Sequence, residues 1–164
     1  MSIKNIVITS AKRTAEGSLG KSLKNIHSSD LGATVINDVL NHSNLKGDDV
    51  DEIILGQVLT AGLGQNPARQ AAIKSGVPKE KPAYIVNQVC GSGLRAIISG
   101  FQSIKLGDSK IVISGGQENM SIAPQIALKE NEKKFSEKIF LDVMMNDGLL
   151  DAFKNYHMGV TAEN

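Results

Sequence analysis

An α/β fold, with a mainly parallel sheet and helices on both faces, is what this 164-residue chain predicts. Three observations carry the prediction. Short apolar runs alternate with longer stretches of helical spacing over the first two thirds of the chain, and glycine-bearing or polar segments separate them. Repeated strand–helix–strand units imply a mainly parallel sheet with helices on both faces. A hydrophobic content of 41% with 21% charged residues is that of a globular chain able to bury a core.

In order, Ile3 to Thr9 reads as a strand, and Lys12 to Ser28 as a polar loop. Asp30 is placed to cap a helix over Leu31 to Asn41, where Leu31, Val35, Val39 and Leu40 recur at helical spacing. Gly47-Asp48-Asp49 is a turn and Glu52 to Val58 a second strand. Asn66 caps the next helix, Pro67 takes its first position, and Gly76 stops it. Ala83 to Gln88, Leu94 to Leu106 and Lys110 to Ser114 continue the alternation as strand, helix and strand. Beyond Gly115-Gly116 the pattern changes. Ser121 to Gln125 is irregular, Lys129 to Lys138 is a charge-mixed run, Val143 to Phe153 is a short helix, and Thr161-Ala162-Glu163 opens another.

Asn87-Gln88-Val89-Cys90-Gly91-Ser92-Gly93-Leu94-Arg95-Ala96 holds the only cysteine of the chain. By residue type a lone cysteine is a small buried hydrophobe. Here it sits between a strand and a helix, where free amides and a partial positive charge favour the anionic thiolate. Gly91 and Gly93 let a second molecule approach sulfur and backbone, so the arrangement presents a nucleophile. The helix that follows is apolar over an arc of roughly 200°, wider than the ~100° stripe of a surface helix. It predicts packing on two sides.

Net charge of +1 and 4% aromatic content leave neither a basic surface nor stacking platforms, which argues against nucleic-acid binding. One cysteine rules out an internal disulfide and fits a reducing compartment. The N-terminal residues show no cleavable signal and no run reaches membrane-spanning length, so no membrane partner and a cytoplasmic location are expected. His27, His42 and His157 are far apart, and no cluster has metal-ligand spacing. His27 and His42 read as exposed, and His157, flanked by Tyr156 and Met158, as a structural histidine. Gly91-Ser92-Gly93-Leu94-Arg95-Ala96 fits a dinucleotide fingerprint, but it lies at the third strand–helix junction and Ser114 to Gln117 supply no acid for a ribose. The loop Ala61 to Pro67 reads as a capped turn ahead of an anion cradle.

Several segments, in order, carry a family resemblance: Arg13-Thr14, Gly56-Gln57-Val58-Leu59, Gly64-Gln65-Asn66-Pro67-Ala68-Arg69-Gln70-Ala71-Ala72, Asn87 to Ala96, Gly115-Gly116-Gln117-Glu118-Asn119-Met120-Ser121, and Tyr156-His157-Met158-Gly159 with Thr161-Ala162-Glu163-Asn164. From Ile3 to the last residue the chain resembles the thiolases, specifically the acetyl-CoA C-acetyltransferase branch. Gln125 departs from the histidine that relatives often carry there. The resemblance implies a thiolase-like N-terminal α/β domain over residues 1–118, lacking its last strand, and the start of a loop domain over 119–164, with the C-terminal half absent. It implies that Cys90 accepts an acyl group from acyl-CoA, in the condensation of two acetyl-CoA to acetoacetyl-CoA or the reverse thiolysis. Leu149, His157 and Met158 match positions lining the CoA and acyl pocket. No cofactor is implied, since CoA thioesters are substrates. The implied partners are acetyl-CoA or another acyl-CoA, with a homo-oligomer or a complementing C-terminal chain. The family's proton-transfer groups lie in its second half, so the isolated chain is expected to lack turnover. The alternatives are a non-catalytic remnant or association module and, last, a dinucleotide-binding module.

Overall fold

A computed structural model describes residues 5–127 and 140–164. Its centre is a three-stranded parallel sheet in the order β2–β1–β3, with β1 at Glu52–Gly56, β2 at Ala83–Val86 and β3 at Val112–Gly116. Ile53 lies opposite Ala83 on one side and Ile113 on the other. As the middle strand β1 is the most enclosed, with Ile53 and Ile54 inaccessible to solvent. Its neighbours on both faces explain its unbroken apolar run.

Successive side chains of a strand point to opposite faces. Ile53 and Leu55 pack with Ile36 and Leu40 of α1 (Ser28–His42) and with Ala68, Ala71 and Ala72 of α2 (Pro67–Lys74). Next along the strand, Gly56 turns to the other face and meets the first turn of α3 (Ser92–Leu106). Helices therefore cover both faces, as predicted. A methyl group at Gly56 would lie 2.5 Å from the Gly93 nitrogen and 2.7 Å from the Ser92 oxygen, and one at Gly100 would overlap Ser114 Oγ. The start of α3 rests on the sheet with no side chain between.

Two carboxylates close the β1–β3 pair from opposite ends. Asp51, just before β1, accepts from the Lys110 and Ile111 amides ahead of β3, at 2.7 and 3.1 Å. Glu118, just after β3, accepts from the Val58 and Leu59 amides beyond β1, at 2.8 and 3.2 Å.

The helix boundaries expand the expected ones. α2 begins at Pro67, with Asn66 as cap accepting from the Arg69 amide, as read from sequence. α1 starts three residues earlier than expected, and its cap is His27, whose Nδ1 accepts from the Ser29 amide, rather than Asp30. Asp30 instead pairs with Lys74 of α2 at 2.6 Å. His27 is consequently half-buried, not exposed as expected; His42 is exposed.

The expected first strand is not formed at residues 5–9, and Val7 and Ile8 are 70% and 79% exposed. A strand exists through its ladder, and among the described residues no strand lies beside this segment. The loop after it is tied down by the region following β3. Asn119 Nδ2 donates to the Leu23 and Ile26 carbonyls, and the Gly20 amide donates to Ser121 Oγ.

Past β3, where irregular chain was expected, β4 (Gln125–Ala127) pairs antiparallel with β5 (Phe140–Asp142). The charged run at 129–138 lies outside the described residues. The expected helix over Val143 to Phe153 is confined to a wide, π-type turn at Met144–Leu149, and α4 spans Met158–Ala162. α3 buries Ser92, Ala96 and Gly100 but leaves Leu94 and Leu106 65% and 78% exposed, so only one side of its wide apolar arc is covered among the described residues.

Gly56→Ala is expected to destabilise the fold by about 3 kcal/mol, since backbone must move to admit the methyl group. Gly115→Ala, whose added methyl meets nothing within 4 Å, should cost under about 1 kcal/mol. Urea unfolding of both variants checks the contrast, and equal losses would contradict direct helix-to-sheet contact.

Candidate active site

Strand β2 ends at Val86, and four residues later Cys90 stands exposed at the end of a tight turn. The turn closes through the Gly91 amide to the Gln88 carbonyl and the Ser92 amide to the Val89 carbonyl. Ser92 Oγ braces it by accepting from the Gln88 amide at 2.8 Å and donating to the Val89 carbonyl at 2.6 Å. Val89 pays for the geometry with a φ of 47°, a left-handed conformation that is strained for a β-branched residue. The helix cap is Gly91, which offers no side chain to the helix's first amides. Cys90 thus immediately precedes the cap of α3.

Cys90 shares a cavity of about 340 Å³ with Gly56, Gln57, Val58, Val89, Ser92, Gly93, Gly116, Gln117 and Glu118. Most of these lie at the carboxyl ends of β1 and β3, where ligands bind in parallel α/β sheets. Beneath it runs a buried polar chain. Gln117 Nε2 donates to Gln57 Oε1 at 2.9 Å, and Gln57 Nε2 donates to Ser28 Oγ and to the Leu59 carbonyl, both at 3.0 Å. Gln117 Oε1 lies against Gly32 of α1, where a methyl group would overlap it. The Gln57 and Gln117 amides, just past the strand ends, donate to the Val86 and Gly56 carbonyls.

Glu118 sits above this chain. Burial raises its carboxyl above the usual glutamate range, and the amides of Val58, Leu59 and Asn119 and the Gln57 side chain only partly offset that. Asp51, with two similar amide bonds from Lys110 and Ile111 but more water around it, is held below the usual range. The two clamps differ in desolvation, which wins at Glu118 and loses at Asp51.

Of the other residues singled out from sequence, Leu149 ends the π-type turn, and His157 bridges to Leu150 and caps α4 by accepting from the Gly159 amide at 2.9 Å. Met158 begins α4 and is partly exposed. These three form one neighbourhood, and none lines the Cys90 cavity. Their segment touches its wall indirectly, since Gly148 packs close to Leu59, whose amide Glu118 holds.

Sequence reasoning missed Gln57, Gln117 and Glu118. The available signal was an acid one residue beyond the Ser114–Gln117 stretch, at the carboxyl end of a parallel strand. Its Oε2 is engaged by two amides, so it is not arranged to hold a ribose. The loop at 61–66 is a capped turn, stitched by Gln70 Nε2 to the Leu63 and Gln65 carbonyls. No group of three or more His, Cys, Asp or Glu able to hold a metal occurs among the described residues, and no helix there is long and apolar enough to cross a membrane.

Comparison with known proteins gives consistent relatives. The family model described as thiolase, N-terminal domain, matches residues 6–164. Acetyl-CoA acetyltransferase of Rhizobium meliloti (strain 1021) is 52% identical over 164 residues, covering 100% of this chain and 42% of that protein. Cytosolic acetyl-CoA acetyltransferase of Rattus norvegicus is 49% identical over 159 residues, covering 97% and 40%. Among solved structures, Acat5 thiolase from Ascaris suum in complex with coenzyme A superposes with a TM-score of 0.82 at 37% identity, over 89% of this chain and 38% of that one. The chain therefore spans about two fifths of the length of these relatives.

A carboxyl raised in the folded state contributes stability below the unfolded glutamate range and loses it as pH rises through the raised value. Wild type should therefore lose stability relative to Glu118→Gln on going from acid to alkaline pH. Urea midpoints of the two proteins across that range measure the gap. A wild-type midpoint that stays level or rises relative to the variant's as pH rises would contradict a raised Glu118 carboxyl.

Proposed function

The chain belongs to the thiolase family, and from that premise we propose that Cys90 is the acyl-accepting nucleophile of a thiolase-type transfer. The observation that carries this reading is the exposed Cys90 on a strained, braced turn at the start of α3, in a cavity that three glycines help to line. The Cys90 thiolate attacks the carbonyl carbon of an acyl-CoA. A carbon–sulfur bond to Cys90 forms, the bond to the CoA sulfur breaks, and the departing thiolate takes up a proton. The Cys90 backbone amide is one donor to the developing oxyanion. In the second half-reaction an acetyl-CoA that has lost its α-proton attacks the acyl-Cys90 carbonyl. Acetoacetyl-CoA forms and Cys90 is released; thiolysis runs the same steps backwards.

Acetyl-CoA is the proposed substrate because the relatives are acetyl-CoA acetyltransferases. Leu149, His157 and Met158 are proposed to contact the CoA and acyl groups from the segment that packs beside Leu59. The transfer needs no cofactor, since the CoA thioester brings its own leaving group. A cytoplasmic setting matches the cytosolic designation of the rat relative. A homo-oligomer, or a second chain completing the site, is the proposed assembly. The lining of the Cys90 cavity contains no histidine or lysine to take the α-proton. A missing general base costs about 10²–10⁴-fold. The 164-residue chain alone is therefore proposed to be acylated without completing the condensation.

Intact-mass and peptide analysis after incubation with excess acetyl-CoA should find one acetyl group on Cys90, none on Cys90→Ser, and acetoacetyl-CoA no higher than in a protein-free control. Acetylation confined to lysines would refute the nucleophile assignment. Formation of acetoacetyl-CoA at enzymatic rates would refute the proposal that the chain alone stops at the acyl stage.

A further inference from the structure

Ser92 is 4% exposed, and its backbone rests on Gly56 of β1, so the residue is fixed to the sheet. From there it holds the peptide bond that leads into Cys90. The Val89 carbonyl receives two donors from this one residue, the Ser92 amide at 3.1 Å and Ser92 Oγ at 2.6 Å. The same hydroxyl oxygen accepts from the Gln88 amide at 2.8 Å.

A peptide unit is planar and trans, with its carbonyl and its N–H on opposite edges. Holding the Val89 carbonyl toward Ser92 therefore sets the direction of the Cys90 N–H, away from Ser92. Val89 works against that arrangement, because its φ of 47° is unfavourable for a β-branched side chain. Relief of the strain would swing one of the two peptide planes that meet at Val89. The plane ahead of it is held at both edges, since the Val89 amide donates to Asn87 Oδ1 at 3.0 Å and the Gln88 carbonyl accepts from the Gly91 amide at 3.0 Å. The plane after it is held at its carbonyl by Ser92.

We propose that Ser92 is a positioning residue for acyl transfer: its hydroxyl locks the Val89–Cys90 peptide plane and thereby aims the Cys90 N–H at the oxyanion that forms on the acyl carbonyl. This rests on the reading of Cys90 as acyl acceptor and adds the side chain that sets its donor. Deleting an oxyanion donor costs about 10²–10³-fold. The Ser92 amide survives any change of side chain, so loss of the hydroxyl loosens the plane without freeing it. The expected effect is on the order of tenfold, below that of a deleted donor.

Two reagents separate the aim of the amide from access to the sulfur. With p-nitrophenyl acetate the Cys90 sulfur bonds to the carbonyl carbon, an oxyanion forms, and p-nitrophenolate leaves. With iodoacetamide the sulfur bonds to the methylene carbon and iodide leaves, with no oxyanion. Neither reagent uses CoA, so the result stands apart from whether acetyl-CoA acetylates Cys90. Rates of Cys90 modification by each are followed by peptide mass in wild type, Ser92→Ala, Ser92→Val and Ser92→Thr. The ratio of acylation to alkylation should fall on the order of tenfold in Ser92→Ala and Ser92→Val, and stay near the wild-type value in Ser92→Thr, which keeps the hydroxyl. Threonine and valine share the added branch, so their contrast isolates the hydroxyl even where Ser92→Ala does not fold. A purely structural Ser92 would move both rates together. An unchanged ratio in the hydroxyl-free variants, or an equal fall in Ser92→Thr and Ser92→Val, would overturn the proposal.

Discussion

The contact between the first turn of α3 and the bare backbone of β1 governs the Cys90 end of this molecule. Glycine at 56 lets Ser92 and Gly93 descend onto the sheet, which sets where α3 begins. The start of α3 then leaves only a few residues between Val86 and Ser92 for the chain to leave the strand and enter the helix. The left-handed Val89 and the Ser92 brace follow from that short span. The same turn leaves Cys90 exposed. A bulkier residue at Gly56 would lift the helix, relax the turn and change the presentation of the sulfur together.

The two carboxylate clamps illustrate how one motif acquires two electrostatic characters. Asp51 and Glu118 each tie two consecutive amides across the β1–β3 pair, at opposite ends of the strands. Hydrogen bonds to the charged form lower a carboxyl, and loss of water raises it. Near solvent the bonds prevail at Asp51, which contributes stability above the ordinary aspartate range and loses it as pH falls. At the carboxyl end, beside the Gln117–Gln57–Ser28 chain, burial prevails at Glu118. The end of the sheet that holds Cys90 is therefore also the end where burial raises a carboxyl.

The outer face of α3 and the residues at 5–9 share one property. Both are apolar, and both are covered on one side or on none among the described residues. The wide apolar arc of α3 was visible in the amino-acid sequence because helical periodicity is local. The failure of residues 5–9 to form a strand was not visible, because β-pairing depends on a partner that a run of apolar residues does not specify. The same reason explains β4 and β5. Gln125–Ala127 has no strand pattern of its own, and its ladder is supplied by Phe140–Asp142.

By itself the amino-acid sequence determined the alternation of strands and helices, the Asn66–Pro67 helix start, the helix ending at Leu106 and the place of Cys90 just ahead of α3. Each is written in a stretch short enough for local periodicity, capping chemistry or glycine placement to decide. Tertiary structure decided where β1 stops, because Gln57 turns inward to Ser28 and Gln117. It decided that His27 rather than Asp30 caps α1, because Lys74 draws Asp30 away. It also decided that Glu118 stands in the cavity of Cys90, bonded to amides 60 residues before it in the chain. Such pairings are set by which surfaces meet when the sheet closes and water is excluded, and no spacing within either segment encodes them.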